Sequence, residues 1–214
     1  MKSLKINYLS ALDNATAEMA VGILNILNPE KVDAVNWLEQ YGVKPDCGFQ
    51  IARSNDAIFI YFEVTEENIR AQFANDHDPV WQDSCVEFFC KLAERKAYMN
   101  FEFNCIGTCL ATSRISRNEN ITPFTAEEMN KIDRYASLGR KTFTEKEGKS
   151  EWQLTVKIPF TVLGIDINNF PDKLAANFYK CADGSSKPHY LSWNAINTKN
   201  PDFHCPEYFG ELIF

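Results

Sequence analysis

The 214 residues are 45 % hydrophobic and 13 % aromatic, which excludes general disorder and allows one domain with a sizeable core. A formal net charge of −7 disfavours nucleic acid as a partner, because phosphates need clustered Lys and Arg. No apolar run approaches the ~18 residues of a membrane-spanning helix. Residues 1–8 carry no apolar leader, so the chain as written is expected in the cytoplasm, or outside it if a leader has been trimmed.

Residues 15–27 set Met19, Ala20, Ile23, Leu24 and Leu27 at helical spacing, and Pro29 ends the run. The first 45 residues are the least strand-like part and are expected to pack on the domain as an extension. From residue 48 the period becomes two. Residues 48–53 and 57–64 read as strands joined at the Asn55-Asp56 turn. Residues 84–91 set Val86, Phe88 and Cys90 against Glu87, Phe89 and Lys91. Residues 98–105 set Met99, Phe101, Phe103 and Cys105 against Tyr98, Asn100, Glu102 and Asn104. Gly107 allows a turn into a further strand over 108–113. Thr125 with Glu128 opens a helix expected to run to residue 138. Residues 145–150 read as a charged hairpin tip. The strand over 151–158 follows, with Trp152, Leu154, Val156 and Ile158 on one face, and Pro159 stops it. Residues 175–181, 189–196 and 208–214 supply the last strands. Eight to ten short strands without regular crossover helices give an all-β fold. The expected architecture is an antiparallel β-sandwich, jelly-roll or immunoglobulin-like, with one or two short peripheral helices, as a single domain over 1–214.

Seven cysteines, an odd number without a C-x-x-C pair, read as reduced thiols. His77, His189 and His204 have no metal-site spacing. Trp81 stands before a strand and after the polar loop 75–79, with Glu87 projecting from the same region. A saccharide suits such a pair: its apolar face stacks on the indole and its hydroxyls seek the carboxylate. The competing reading makes Trp81 a plug at the end of the core. Asn100, Glu102 and Asn104 form a polar row, and two Asn on one strand are unusual. Trp193 is a candidate second wall. Lys180 and Asn177 fall on opposite faces of their strand, so only one of them can line a cleft unless the strand is bulged. Trp152 reads as core, and Trp37 is undecided. The candidate saccharide-binding residues are therefore Trp81, Glu87, Asn100, Glu102, Asn104, Lys180 and Trp193. Two other readings stand beside this one: a glycoside hydrolase using Glu87 and Glu102, and a sandwich whose aromatics contact another protein.

Six segments taken in order resemble the family 9 carbohydrate-binding modules. They are Trp81-Gln-Asp-Ser-Cys-Val-Glu-Phe-Phe89, Tyr98-Met-Asn-Phe-Glu-Phe-Asn-Cys-Ile-Gly107, Trp152-Gln-Leu-Thr-Val-Lys-Ile-Pro159, Ala176-Asn-Phe-Tyr-Lys-Cys181, Leu191-Ser-Trp-Asn194 and Pro201-Asp-Phe-His-Cys-Pro-Glu-Tyr-Phe-Gly-Glu-Leu212. The six segments fall between residues 81 and 212, and the resemblance extends over about residues 45–214. The resemblance implies a non-catalytic β-sandwich that grips an oligosaccharide or polysaccharide of the xylan or cellulose kind between two tryptophans; separately, the chain is expected to be a monomer. Such modules usually accompany xylanases in carbohydrate catabolism. Trp81 and Glu87 match the first tryptophan and the acid after it, and Trp193 matches the second. A basic contact residue that the family carries on the strand over 98–104 is replaced by Glu102. The resemblance also implies structural calcium, for which Asp76, Asp78 and Asp83 are the candidate ligands.

Overall fold

Apolar–polar alternation from Asp46 onward builds two facing sheets in the computed structural model, which describes all 214 residues. The chain runs β1 (Ser3–Lys5), α1 (Ala17–Leu24), β2 (Glu30–Lys31), β3 (Ala34–Val35), β4 (Asp46–Arg53), β5 (Ala57–Ala71), β6 (Cys85–Lys91), β7 (Tyr98–Asn104), β8 (Cys109–Arg114), β9 (Thr122–Pro123), α2 (Ala126–Lys131), β10 (Asp133–Ala136), β11 (Phe143–Pro159), α3 (Phe160–Leu163), β12 (Lys173–Cys181), β13 (Tyr190–Ser192) and β14 (Gly210–Ile213). The smaller sheet has the order β10-β11-β5-β4-β2. The larger has the order β1-β14-β12-β6-β7-β8-β9, with β13 and then β3 paired beside the end of β12. Every pairing of strands is antiparallel except β1 with β14.

The predicted alternation decides which side chains meet. Val86, Phe88, Phe101, Phe103 and Phe178 of the large sheet pack against Phe49, Ile60, Phe62, Leu154 and Val156 of the small one. Phe49 and Phe178 stack across the gap with ring centroids 3.7 Å apart. α1 covers the outer face of the small sheet, where Ala20 and Leu24 meet Ala52, Phe59 and Tyr61. Thr16 caps this helix by accepting a hydrogen bond from the Met19 N–H. The outer face of the large sheet is covered too. Loops from both ends of the chain lay Trp37, Phe203 and Phe209 over Phe89, Tyr98 and Tyr179. β6 and β7 are therefore buried on both faces, and their polar side chains point into a covered layer instead of bulk water.

Three sequence expectations change. The first 45 residues do not merely lie on the domain, because β1, β2 and β3 add strands to both sheets. Residues 145–150 are not a hairpin tip. β11 continues through them, paired with β5, and absorbs the irregular stretch with register shifts around 143–150 and a left-handed Gly148. The capping box at Thr125 is present, but α2 ends at Lys131. Ile132, which caps the helix, and Ala136 on β10 then turn into the core, and β10 is an edge strand paired with β11.

Candidate functional site

Register places the functional row. On the outer face of the large sheet Tyr179, Glu87, Glu102 and Leu110 stand side by side across β12, β6, β7 and β8. The next row is Cys181, Cys85 and Asn104, and the row on the other side is Phe89, Asn100 and Thr112. Loops leave a cleft of about 520 Å³ over the Glu87–Glu102 pair, a volume suited to a small sugar ligand.

Trp81 stands at this cleft on a single-turn 3-10 helix, Val80–Gln82, directly before β6. Its carbonyl accepts from the Asp183 N–H at 3.0 Å, which ties the turn to the end of β12. It is 36 % exposed, whereas Trp37, Trp152 and Trp193 are at most 5 % exposed. The three buried indoles donate their N–H to Thr198 O, Glu66 Oε1 and Glu30 Oε2 respectively. The Trp81 N–H has no such partner within the protein.

Glu87 and Glu102 form the floor. Glu102 Oε1 accepts from Asn100 Nδ2 at 2.9 Å, Asn100 Oδ1 accepts from the Thr112 hydroxyl, and the Thr112 oxygen accepts from Arg114 Nε at 2.9 Å. This chain fixes the Glu102 carboxyl in place. Glu87 Oε1 accepts from Cys181 Sγ at 3.1 Å. Burial, and then the neighbouring Glu102, hold Glu87 well above the usual carboxylate range. Burial pushes Glu102 up to about 7, against the pull of Arg114. His204 is held neutral, down at about 3, by burial and then by Arg114 and Arg117, and its Nδ1 lies 2.9 Å from the Tyr98 hydroxyl. Tyr41, Tyr190 and Phe203 complete the aromatic lining; the Tyr41 and Tyr190 rings meet edge to face at 4.8 Å.

The predicted residues divide accordingly. Trp81, Glu87 and Glu102 come together in the cleft. Asn100 stands one step behind, on Glu102. Asn104 is structural: its side chain donates to Phe73 O and Asp83 and accepts from the Thr108 N–H. Trp193 is not a second wall. It shares a face with Leu191, is fully buried between the sheets, and meets Phe49 and Phe178 edge to face. Lys180 is not in the cleft either. It shares the inward face with Phe178 and pairs with Glu66 of β5 at 3.0 Å, both groups at most 2 % exposed. Asn177 does face outward, but its amide is consumed by the Asn194 backbone.

The three aspartates do not fit a shared calcium ion. Asp76 is gripped by both Arg134 Nη atoms and by the Cys109 N–H. Asp78 accepts from the Asn75 N–H. Asp83, with no exposed surface, accepts from the N–H groups of Gln72 and Phe73, from Arg70 and from Asn104. The metal-ligating side chains that do converge are Cys85, Glu87 and Cys181, with ligand atoms within 4.8 Å of one another. Burial pushes the Cys85 thiol up to about 12 and raises Cys181 as well, so both sulfurs stay thiols, and Cys181 donates to Glu87.

Sequence reasoning missed the loop-borne lining: Tyr41, Arg114, Arg117, Asp183, Tyr190 and Phe203. One signal was available. In Tyr190-Leu191-Ser192-Trp193, period two puts Trp193 with the apolar Leu191 and leaves Tyr190 on the cleft side.

The model of carbohydrate-binding family 9 matches residues 20–214. The chain therefore belongs to carbohydrate-binding family 9, and its fold is the β-sandwich described above. A crystal structure of a Bacteroides uniformis ATCC 8492 protein with a provisional carbohydrate-binding name is 33 % identical. That match covers 100 % of this chain and 99 % of the other, with a TM-score of 0.91. Two structures of a family 9 module from Caldicellulosiruptor kristjanssonii, with cellotriose and with glucose, are 14 % and 15 % identical, with TM-scores of 0.60 and 0.59. Each covers 99 % of this chain, and 93 % and 95 % of its own. No curated protein matches the chain significantly.

Proposed function

We propose that the chain binds a saccharide without cleaving it, in the cleft beside Trp81. The single observation that carries this reading is the one solvent-open indole, its N–H free, at a cleft floored by two carboxyl groups. A pyranose laid on Trp81 gains about 1–3 kcal/mol, by analogy with other aromatic and hot-spot contacts. Glu87 and Glu102 then accept or share protons with its hydroxyls. Cellulose- or xylan-type oligosaccharides are the first ligands to test, since the Caldicellulosiruptor kristjanssonii module holds cellotriose and glucose. Turnover is not proposed. Glu87 and Glu102 lie side by side on one floor, whereas glycoside hydrolysis needs two carboxyl groups flanking the scissile bond.

Isothermal titration with cellotriose and xylotriose, followed by chromatography of the same samples after long incubation, tests the proposal. Saturable binding with intact sugar is the expected result. Product that vanishes in Glu87→Gln would instead make the protein a hydrolase, and no binding by either trimer or by any screened glycan would defeat the reading.

A further inference from the structure

We infer that the cleft prefers saccharides carrying a protonated amine, held between the Glu87–Glu102 carboxyl pair and the Trp81 indole. The inference rests on the saccharide reading above and goes beyond it in naming the ligand's charge.

The charge count points to a cation. Glu87, Glu102, Asp183 and Asp202 line the cleft, against Arg114 and Arg117, with His204 neutral. Asp202 is matched by Arg117 at 3.3 Å. Arg114 donates its Nε to Thr112 and an Nη to the Arg117 carbonyl, so it is tied to the wall. Neither Glu87 nor Glu102 has a cationic side chain within ion-pair distance, although both are at most 4 % exposed. Their only side-chain partners are a thiol and an amide.

Two buried carboxyl groups side by side with no ion-paired cation are costly when ionised: burial raises both, and Glu102 adds to the rise of Glu87. An ammonium group between them removes that cost and lets the pair ionise, releasing protons to solvent. The indole offers the same cation a π face. A neutral hydroxyl in the same place gains none of this.

The test compares three β-1,4 trimers of equal length by isothermal titration at pH 6.0, where the glucosamine amines carry their protons: the glucosamine trimer, cellotriose and the N-acetylglucosamine trimer. The glucosamine trimer is expected to bind at least tenfold more tightly than cellotriose. N-acetylation, which removes the charge, is expected to erase the advantage. Glu102→Gln should bring the ratio toward one. Cellotriose binding as well as or better than the glucosamine trimer overturns this inference and leaves the saccharide reading standing. Failure of all three trimers, and of any other glycan, overturns both.

Discussion

Trp81 and Trp193 are chemically identical and separated by the fold into opposite roles, so replacing each with Ala gives a direct contrast. Trp193 has no exposed surface, meets Phe49 and Phe178 edge to face, and donates its indole N–H to Glu30. Removing a fully buried Trp costs about 3–5 kcal/mol. For a domain of this size that lowers the melting temperature by roughly 6–20 °C. Trp81 sits on a surface turn with about a third of its surface open and no hydrogen bond from its indole. Trp81→Ala should cost only about 1 kcal/mol of stability. Its effect should fall on binding, where losing the stacking surface weakens cellotriose affinity roughly 5- to 150-fold. Urea melts and titration calorimetry on both variants read the two effects separately. The reasoning is refuted if Trp81→Ala is as destabilised as Trp193→Ala, or if it binds sugar with unchanged affinity while the wild type binds.

Three further outcomes follow from the packing. The raised Glu102 makes the folded state favour protonation, so its contribution is intact below pH about 4.5 and is lost as pH rises through about 7. That loss is on the order of 3 kcal/mol, with Asp183, raised to about 6 by burial, acting in the same direction. Melts across this range should slope downward in the wild type and less so in the Glu87→Gln, Glu102→Gln double variant. Lys180→Met strands Glu66 as a buried, uncompensated charge and should cost about 3–5 kcal/mol, partly recovered by adding Glu66→Gln, with sugar affinity of the folded fraction unchanged. Gly210→Ala would put a Cβ 2.5 Å from Trp193 Cζ3 and 2.8 Å from the Lys2 carbonyl, so the strand or the indole must move; a loss of about 1–3 kcal/mol in a urea melt is expected.

The strand pattern was legible because period two is written plainly in β5, β6, β7 and β11. The outward row Tyr98, Asn100, Glu102 and Asn104 and the inward row Met99, Phe101 and Phe103 both lie as the alternation demands. Burial of the outward row was harder to read. Its cover comes from Trp37, Phe203 and Phe209, which are far away in sequence and sit in loops without periodicity. The cleft was half legible. Trp81 and Glu87 are six residues apart on one turn and strand, whereas Tyr41, Arg117, Asp183 and Tyr190 arrive by long-range chain closure. Trp193 was misplaced because residue type was weighed above phase, and Lys180 because a buried lysine is intelligible only once Glu66 stands opposite it. The charged stretch 145–150 imitates a turn in composition, but β5 extends to Ala71 and supplies a partner along its length.

The most direct test is a ¹H–¹⁵N spectrum, in which the four indole N–H groups give four separate signals. On adding the tightest-binding trimer, the Trp81 signal should move strongly, because Trp81 lines the cleft and its indole N–H has no partner within the protein. The signals of Trp37, Trp152 and Trp193, already hydrogen-bonded inside the fold, should stay nearly still. Saturable binding that shifts Trp193 while leaving Trp81 in place would contradict the assignment of this cleft as the saccharide site.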